Sequence, residues 1–457
     1  MFRKQIFSGG FVLCLAMIGV LATSTKVTVA QTIDRGVYYG GSVVGGVAID
    51  ANGALSTAPK SAMEAVGKEL AKLLEPIPAD LNEKTPIRKV SLKKLEAEMR
   101  QIIDKKGEFP DAMRYLGGLT AIRYVVVVPE ENDILLVGPA ESWTVDALGS
   151  VIGKSSGRPV LRLEDFLTIF RAWNNQDRPS VITCSIDPTP EAMRKIAQVE
   201  SQFRVLTKEN INAYAAAQEE AYGMNVVTVQ GVPADSRFAK ILVAADYKMK
   251  RIGLGHEDSG VRGLPSYVSM ISGSQKQRTP RFWLAPEYGV VSHDSKKLTW
   301  QLSEVKVKAL TENEYVDLRS GSRQSAGKPD KAAISWCDKM NNNYDALSKV
   351  DPVFGDLKNC MELAMTVALI KRERLMEKVD CKLPTIAEET VLKIAYPAPK
   401  TVPSKAVISR NARSFVVACG GVEINPFVTL ENAKLESKID AERETLSKTV
   451  GDAWWSK

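Results

Sequence analysis

Histidine is almost missing from this chain, with only His256 and His293 among 457 residues. Each sits in a polar stretch, "GLGHEDSG" or "VSHDSKK", and no H-x-x-x-H or C-x-x-C spacing occurs. Zinc centres are built from clustered His, Cys and acidic ligands, so neither a metal site nor a cofactor is expected. His256, Asp258 and Ser259 lie too close along the chain to argue for a catalytic triad. Long apolar runs are absent too. The stretch Phe11–Ala22 falls short of the about 20 residues a membrane span requires, and "MELAMTVALI" is short and carries Glu362.

What is present begins with an address. Arg3 and Lys4 precede the apolar run, and Thr28-Val29-Ala30 places small residues before Gln31. A positive start, a short apolar centre and a small-residue cut site read as a secretory signal peptide over 1–30. The expected location is therefore outside the cytoplasm, in periplasm, cell envelope or medium, after cleavage near Ala30. Loss of Arg3, Lys4 and Lys26 lowers the formal net charge from +7 to +4. The basic clusters at 88–94 and 371–374 are broken or followed by glutamate in places and lack interleaved aromatics, so nucleic acid is not an expected partner.

Hydrophobic and charged fractions of 44% and 25% are ordinary for a folded protein, and the length suggests two or three domains. Residues 31–119 open with glycine-punctuated strands, where Asn52-Gly53 marks a hairpin, and continue as helix with Leu92, Leu95, Met99 and Ile102 on one stripe. Strands and helices then alternate. "AIRYVVVVPEENDILLVGPA" reads as two strands, 164–174 as a helix, 181–186 as a strand and 190–222 as one long helix. "NVVTVQ" reads as a strand and 236–251 as a helix. The expected class is α/β, mixed α+β overall, with an α/β core over 120–255. Beyond it lie a loop-rich segment with aromatics at 256–330, a helical hairpin at 331–376, short strands within 377–428 and a polar helical tail at 429–457.

The stretch "VITCSIDPTPEAMRKI" at 181–196 holds the sharpest candidates. Alternation puts Ile182, Cys184 and Ile186 on one strand face, where Cys184 acts as a small apolar residue. Thr189 can cap the next helix, with Pro190 at its first position. Asp187 stands at the carboxyl end of a strand, where ligands of α/β sheets gather, and Asp246 is its candidate companion. Trp283, Tyr288 and Trp300 could line a cleft.

Together "ITCSIDPTPEAM", "VAADYKMKRI", "GLPSY", "WLAPEY" and "DPVFGDLKNCMELA" resemble a family of exported proteins of unknown function from planctomycete bacteria. The resemblance implies an exported bacterial protein and carries over no activity. "SFVVACGG" resembles the nucleophile turn of caspase-like proteases, but the candidate histidine upstream, His256, is followed by Glu257 instead of glycine. The leading expectation is a non-catalytic binding or assembly role in the cell envelope, with an envelope or extracellular protein or a glycan as partner. The alternative is an acid-residue hydrolase of glycosides or similar substrates with Asp187 near its site. In the helical hairpin, with Asp351 as cap and Pro352 opening its second helix, the midpoint of Cys337 and Cys360 falls beside the turn, so a disulfide between them is expected, the alternative being two buried thiols in one helical seam.

Overall fold

The computed structural model describes residues 43–50, 52–174, 180–272, 277–317, 323–409, 414–448 and 451–456. The expected leader 1–30, with its cleavage point at Ala30, lies outside them. The class is mixed α and β, built on two seven-stranded sheets. One sheet contains Ile182–Asp187, Met224–Gln230, Pro280–Glu287, Lys306–Val316 and Cys419–Ile424, with Arg323–Ser325 and Thr401–Pro403 at its edges. The other contains Thr85–Ser91, Tyr124–Val128, Asp133–Ala140, Val291–His293 and Thr299–Leu302, closed at its edges by Lys434–Leu435 and Trp455–Ser456. Both sheets draw strands from both halves of the chain, cutting across the sequence segments.

Most neighbours in the sheets are antiparallel. Two helices, Pro190–Gln202 and Ile211–Tyr222, join the strands Ile182–Asp187 and Met224–Gln230 and return the chain antiparallel. The single long helix expected over 190–222 is thus broken between 203 and 210. Within 256–330, the alternating "RFWLAPE" and "KVKALTENEYV" form two long paired strands, whereas residues 256–272 hold only the short helix Tyr267–Met270 between turns. Helix was also expected through 61–119, yet Thr85–Ser91 is a strand, because Ile87 and Val90 find a place in a sheet that distant residues complete.

The helix Arg237–Leu254 runs through the core and is buried at every position except Arg251. Five of its buried residues are charged: Arg237, Lys240, Asp246, Lys248 and Lys250. A charge in such a place needs a partner. Arg237 meets Asp165 and Asp356, Lys248 meets Asp351, and Lys250 meets Asp246 at 2.7 Å. Lys240 has no hydrogen-bond partner at Nζ.

The hairpin Lys331–Val350 and Pro352–Arg372 is present, its turn at Asp351, whose carboxylate accepts from the Val353 amide. The expected disulfide is not. Cys184, Cys337, Cys360, Cys381 and Cys419 are all free and buried. The turn falls where Asp351 as cap and Pro352 at the first helical position put it, and Cys337 and Cys360 are not equidistant from it.

Candidate functional site

The C-terminal tail crosses the outer face of the second sheet from edge to edge. The helix Lys438–Leu446 lies on that face, with Leu446 packed among Val126, Val128, Leu135 and Val137. Two cations pin it there. Lys89 donates to the carbonyls of Thr445 and Lys448, both at 2.8 Å, and Arg443 donates to Thr299 Oγ1 and to the Val127 carbonyl, both at 2.9 Å.

Part of the face beside this helix is an open groove of about 420 Å³. One wall is a β-bulge at Pro86 and Ile87, where the register of Thr85–Ser91 shifts against its neighbour. Bulges re-aim side chains and tolerate proline, and both effects appear here. Arg123, Tyr124, Gln301, Ser303 and Glu304 supply the polar lining, with Val137, Gly138 and Leu302 between them. Gly138 is required by packing, since a Cβ there would sit 2.0 Å from the Ala121 carbonyl oxygen.

These polar groups are fixed in place. Tyr124 and Gln301 are register partners, and Gln301 Nε2 donates to the Tyr124 hydroxyl at 2.9 Å. Burial, then the charge of Glu442, pushes the Tyr124 hydroxyl above its ordinary range, so it stays protonated. Partial burial would raise Glu304, but Lys358 at 2.7 Å, Arg158 and Arg123 outweigh it, and its carboxyl lies below the usual range. Arg123 is anchored at 3.1 Å by Glu362, whose own carboxyl is pushed up by burial against the pull of Arg123. Glu304 is the one carboxylate in the lining, whereas glycoside hydrolysis by paired acids needs two. The arrangement can hold a polar ligand through a cation, an anion, an amide and two hydroxyls.

The residues singled out from sequence are spread elsewhere. Asp187 is half-buried at the end of its strand, and Thr189 caps the following helix through the Ala192 amide at 3.0 Å. Asp246 is fully buried behind the sheet. Burial raises its carboxyl first, Lys250 pulls it down, and the charge of Asp187 raises it again. Lys250 also donates to the Gly420 carbonyl at 3.1 Å. Gly420 has φ of 125°, and any Cβ there would strike the Phe282 carbonyl. A cavity of about 30 Å³ nearby is lined by Lys250 but by neither aspartate. Trp283 is half-buried in its strand beneath the Arg281 guanidinium, while the Tyr288 hydroxyl donates to the Met361 carbonyl at 2.9 Å. Neither Trp283 nor Tyr288 lines the groove or the cavity beside Lys250.

Ser259 Oγ donates to the Leu264 carbonyl at 2.8 Å, and Asp258 accepts from the Gly260 amide, so turn bonds engage both. Burial lowers His256 below the usual histidine range. Among the described residues, no three His, Cys, Asp or Glu side chains are grouped to hold a metal. No described helix is long and apolar enough to cross a membrane.

Sequence reasoning missed the groove. Its residues come from four separated strands, and the only local signal was Pro86 within a strand-like run.

Residues 184–267 match a family described as a protein of unknown function (DUF1598). The match runs from Cys184 through the two connecting helices and the core helix to Tyr267, and it contains Asp187 and Asp246. No curated protein and no solved structure matches the chain significantly.

Proposed function

We propose that this is an exported, non-catalytic binding protein of the cell envelope, with a glycan as the ligand of the groove. The leader-like N-terminus supports export. The groove carries the rest: one carboxylate, one guanidinium, an amide, a tyrosine and a serine stand on a floor interrupted by apolar patches. Sugars present alternating C–H faces and hydroxyl pairs, which such a lining meets by packing and by donor–acceptor pairs. A peptide added as an extra strand is disfavoured. The groove lies on inner strands, and Lys434–Leu435 and Trp455–Ser456 occupy the edges of this sheet.

Calorimetric titration of the chain from Gln31 onward with neutral and amino-sugar oligosaccharides tests the reading. Saturable binding is expected, weakened about tenfold or more by Gln301→Ala or Glu304→Ala, as loss of a charge-assisted or bidentate contact would do. Binding unchanged in both variants, or absent across the panel, overturns it. Hydrolysis of a bound oligosaccharide would favour the enzyme reading instead, and Asp187→Asn would then show whether Asp187 takes part.

A further inference from the structure

Arg123 is the cation of the groove lining, and its guanidinium is only half used. Its Nη1 donates to the Ile122 carbonyl and to Glu362 Oε1, both at 3.1 Å. The Glu362 side chain is 3% exposed and also accepts from the Ile122 amide, so the anchor behind Arg123 is fixed in the core. The Arg123 side chain is itself 25% exposed. Its Nε and Nη2 donate to no group among the described residues, and neither is sealed from solvent. The N–H groups along that edge form a planar fork that matches the two oxygens of a carboxylate.

Glu304 stands in the same lining but is not a bare charge. Its Oε1 lies 2.7 Å from Lys358 Nζ and 3.3 Å from Arg158 Nη2. Asp345 shares both cations at 3.5 and 3.6 Å, with its side chain 70% exposed. The Oε2 of Glu304 takes no hydrogen bond among the described residues and is left to accept from hydroxyls. The groove therefore offers a donor fork and an acceptor oxygen side by side, on a floor that includes Val137, Gly138 and Leu302.

We infer that the ligand of the groove is an acidic glycan. A uronate carboxylate accepts from the Nε–Nη2 fork of Arg123, and a hydroxyl of the same chain donates to Glu304 Oε2. The inference rests on the glycan reading of the groove and names the class of sugar. Anchoring of Arg123 by buried Glu362 holds the fork ready before the sugar arrives, which lowers the cost of ordering it.

The test is calorimetric titration at fixed ionic strength with oligogalacturonate, its methyl ester and the neutral oligosaccharide of the same linkage and length. Oligoglutamate serves as a polyanion that is not a sugar. The acid is expected to bind about tenfold or more tightly than its ester, the size of one charge-assisted pair. Arg123→Gln should bring acid and ester to equal affinity. Joined with Glu362→Gln it should do the same without stranding a buried carboxylate, should the single variant fail to fold. Equal affinity of acid and ester in the unaltered chain, with both still bound, overturns this inference and leaves the glycan reading standing. No binding by any of the sugars overturns both. A preference for the acid that survives in the folded Arg123 variants, or oligoglutamate bound as tightly as oligogalacturonate, also overturns the inference.

Discussion

Lys240 is charged at a cost, and the sign of that cost can be measured. Its folded pKa, about 8, lies below the value of about 10.5 expected for the unfolded chain, so between these two pH values the unfolded chain binds more protons. The penalty is fully felt below pH 8 and relieved as pH rises towards 10.5. Lys240→Met should therefore stabilise the protein at pH 7 by about 2–3 kcal/mol, a gain that shrinks to nothing near pH 10.5. Urea melts across that range check it, and a variant less stable at pH 7 would show that Lys240 has a partner. The paired charges should behave oppositely. Asp246→Ala strands Lys250 in the core and is expected to cost about 3–5 kcal/mol, whereas joint replacement by Leu and Met should restore much of the loss. A double variant as unstable as the single one would mean that the lysine bond to Gly420 matters more than the ion pair. Cys184 was legible because strand alternation alone decides which way its side chain points. The partners of Arg237 were not, because Asp165 and Asp356 lie on other helices, contacts that no local pattern encodes.

Elements formed where local signals agreed with burial. Asp330 and Asp351 cap the hairpin helices, Thr189 and Pro190 start theirs, and Gly53 turns the hairpin between Val47–Ile49 and Leu55–Thr57 at φ 84°. The strand Thr85–Ser91 and the break at 203–210 were missed for a shared reason: distant neighbours, not local periodicity, decide them. The hairpin turn falls where Asp351 and Pro352 put it, but Cys337 and Cys360 are not equidistant from it. Alkylation of the unfolded protein without reductant should therefore label Cys184, Cys337, Cys360, Cys381 and Cys419 alike, and any pair protected until reduction would contradict the free thiols. The C-terminal helix depends on Arg443, which satisfies carbonyls at the sheet surface. Arg443→Met should cost about 2–3 kcal/mol by leaving those groups unmet, and amide exchange over 438–446 should quicken. Unchanged exchange there would mean that Leu446 packing alone holds the helix.

At the scale of the molecule, the core helix packs against strands of the first sheet, and the candidate groove lies on the second. The alternation of strands and helices was enough to give the mixed α/β class. It could not give the distribution of strands between two sheets, because pairing partners are separated by up to hundreds of residues, as Trp455 and Val90 are. Export is expected to leave a chain beginning near Gln31, which N-terminal sequencing of the secreted form would read directly; a start at Met1 would contradict it. The groove beside the C-terminal helix remains the centre of the functional account. Hydrogen–deuterium exchange with and without a saturating oligosaccharide addresses it most directly. Slowed exchange is expected around 123–124 and 301–304 and not in the strand Ile182–Asp187. Protection centred on that strand and its Asp187, or no protection at the groove while the sugar is bound, would contradict the account.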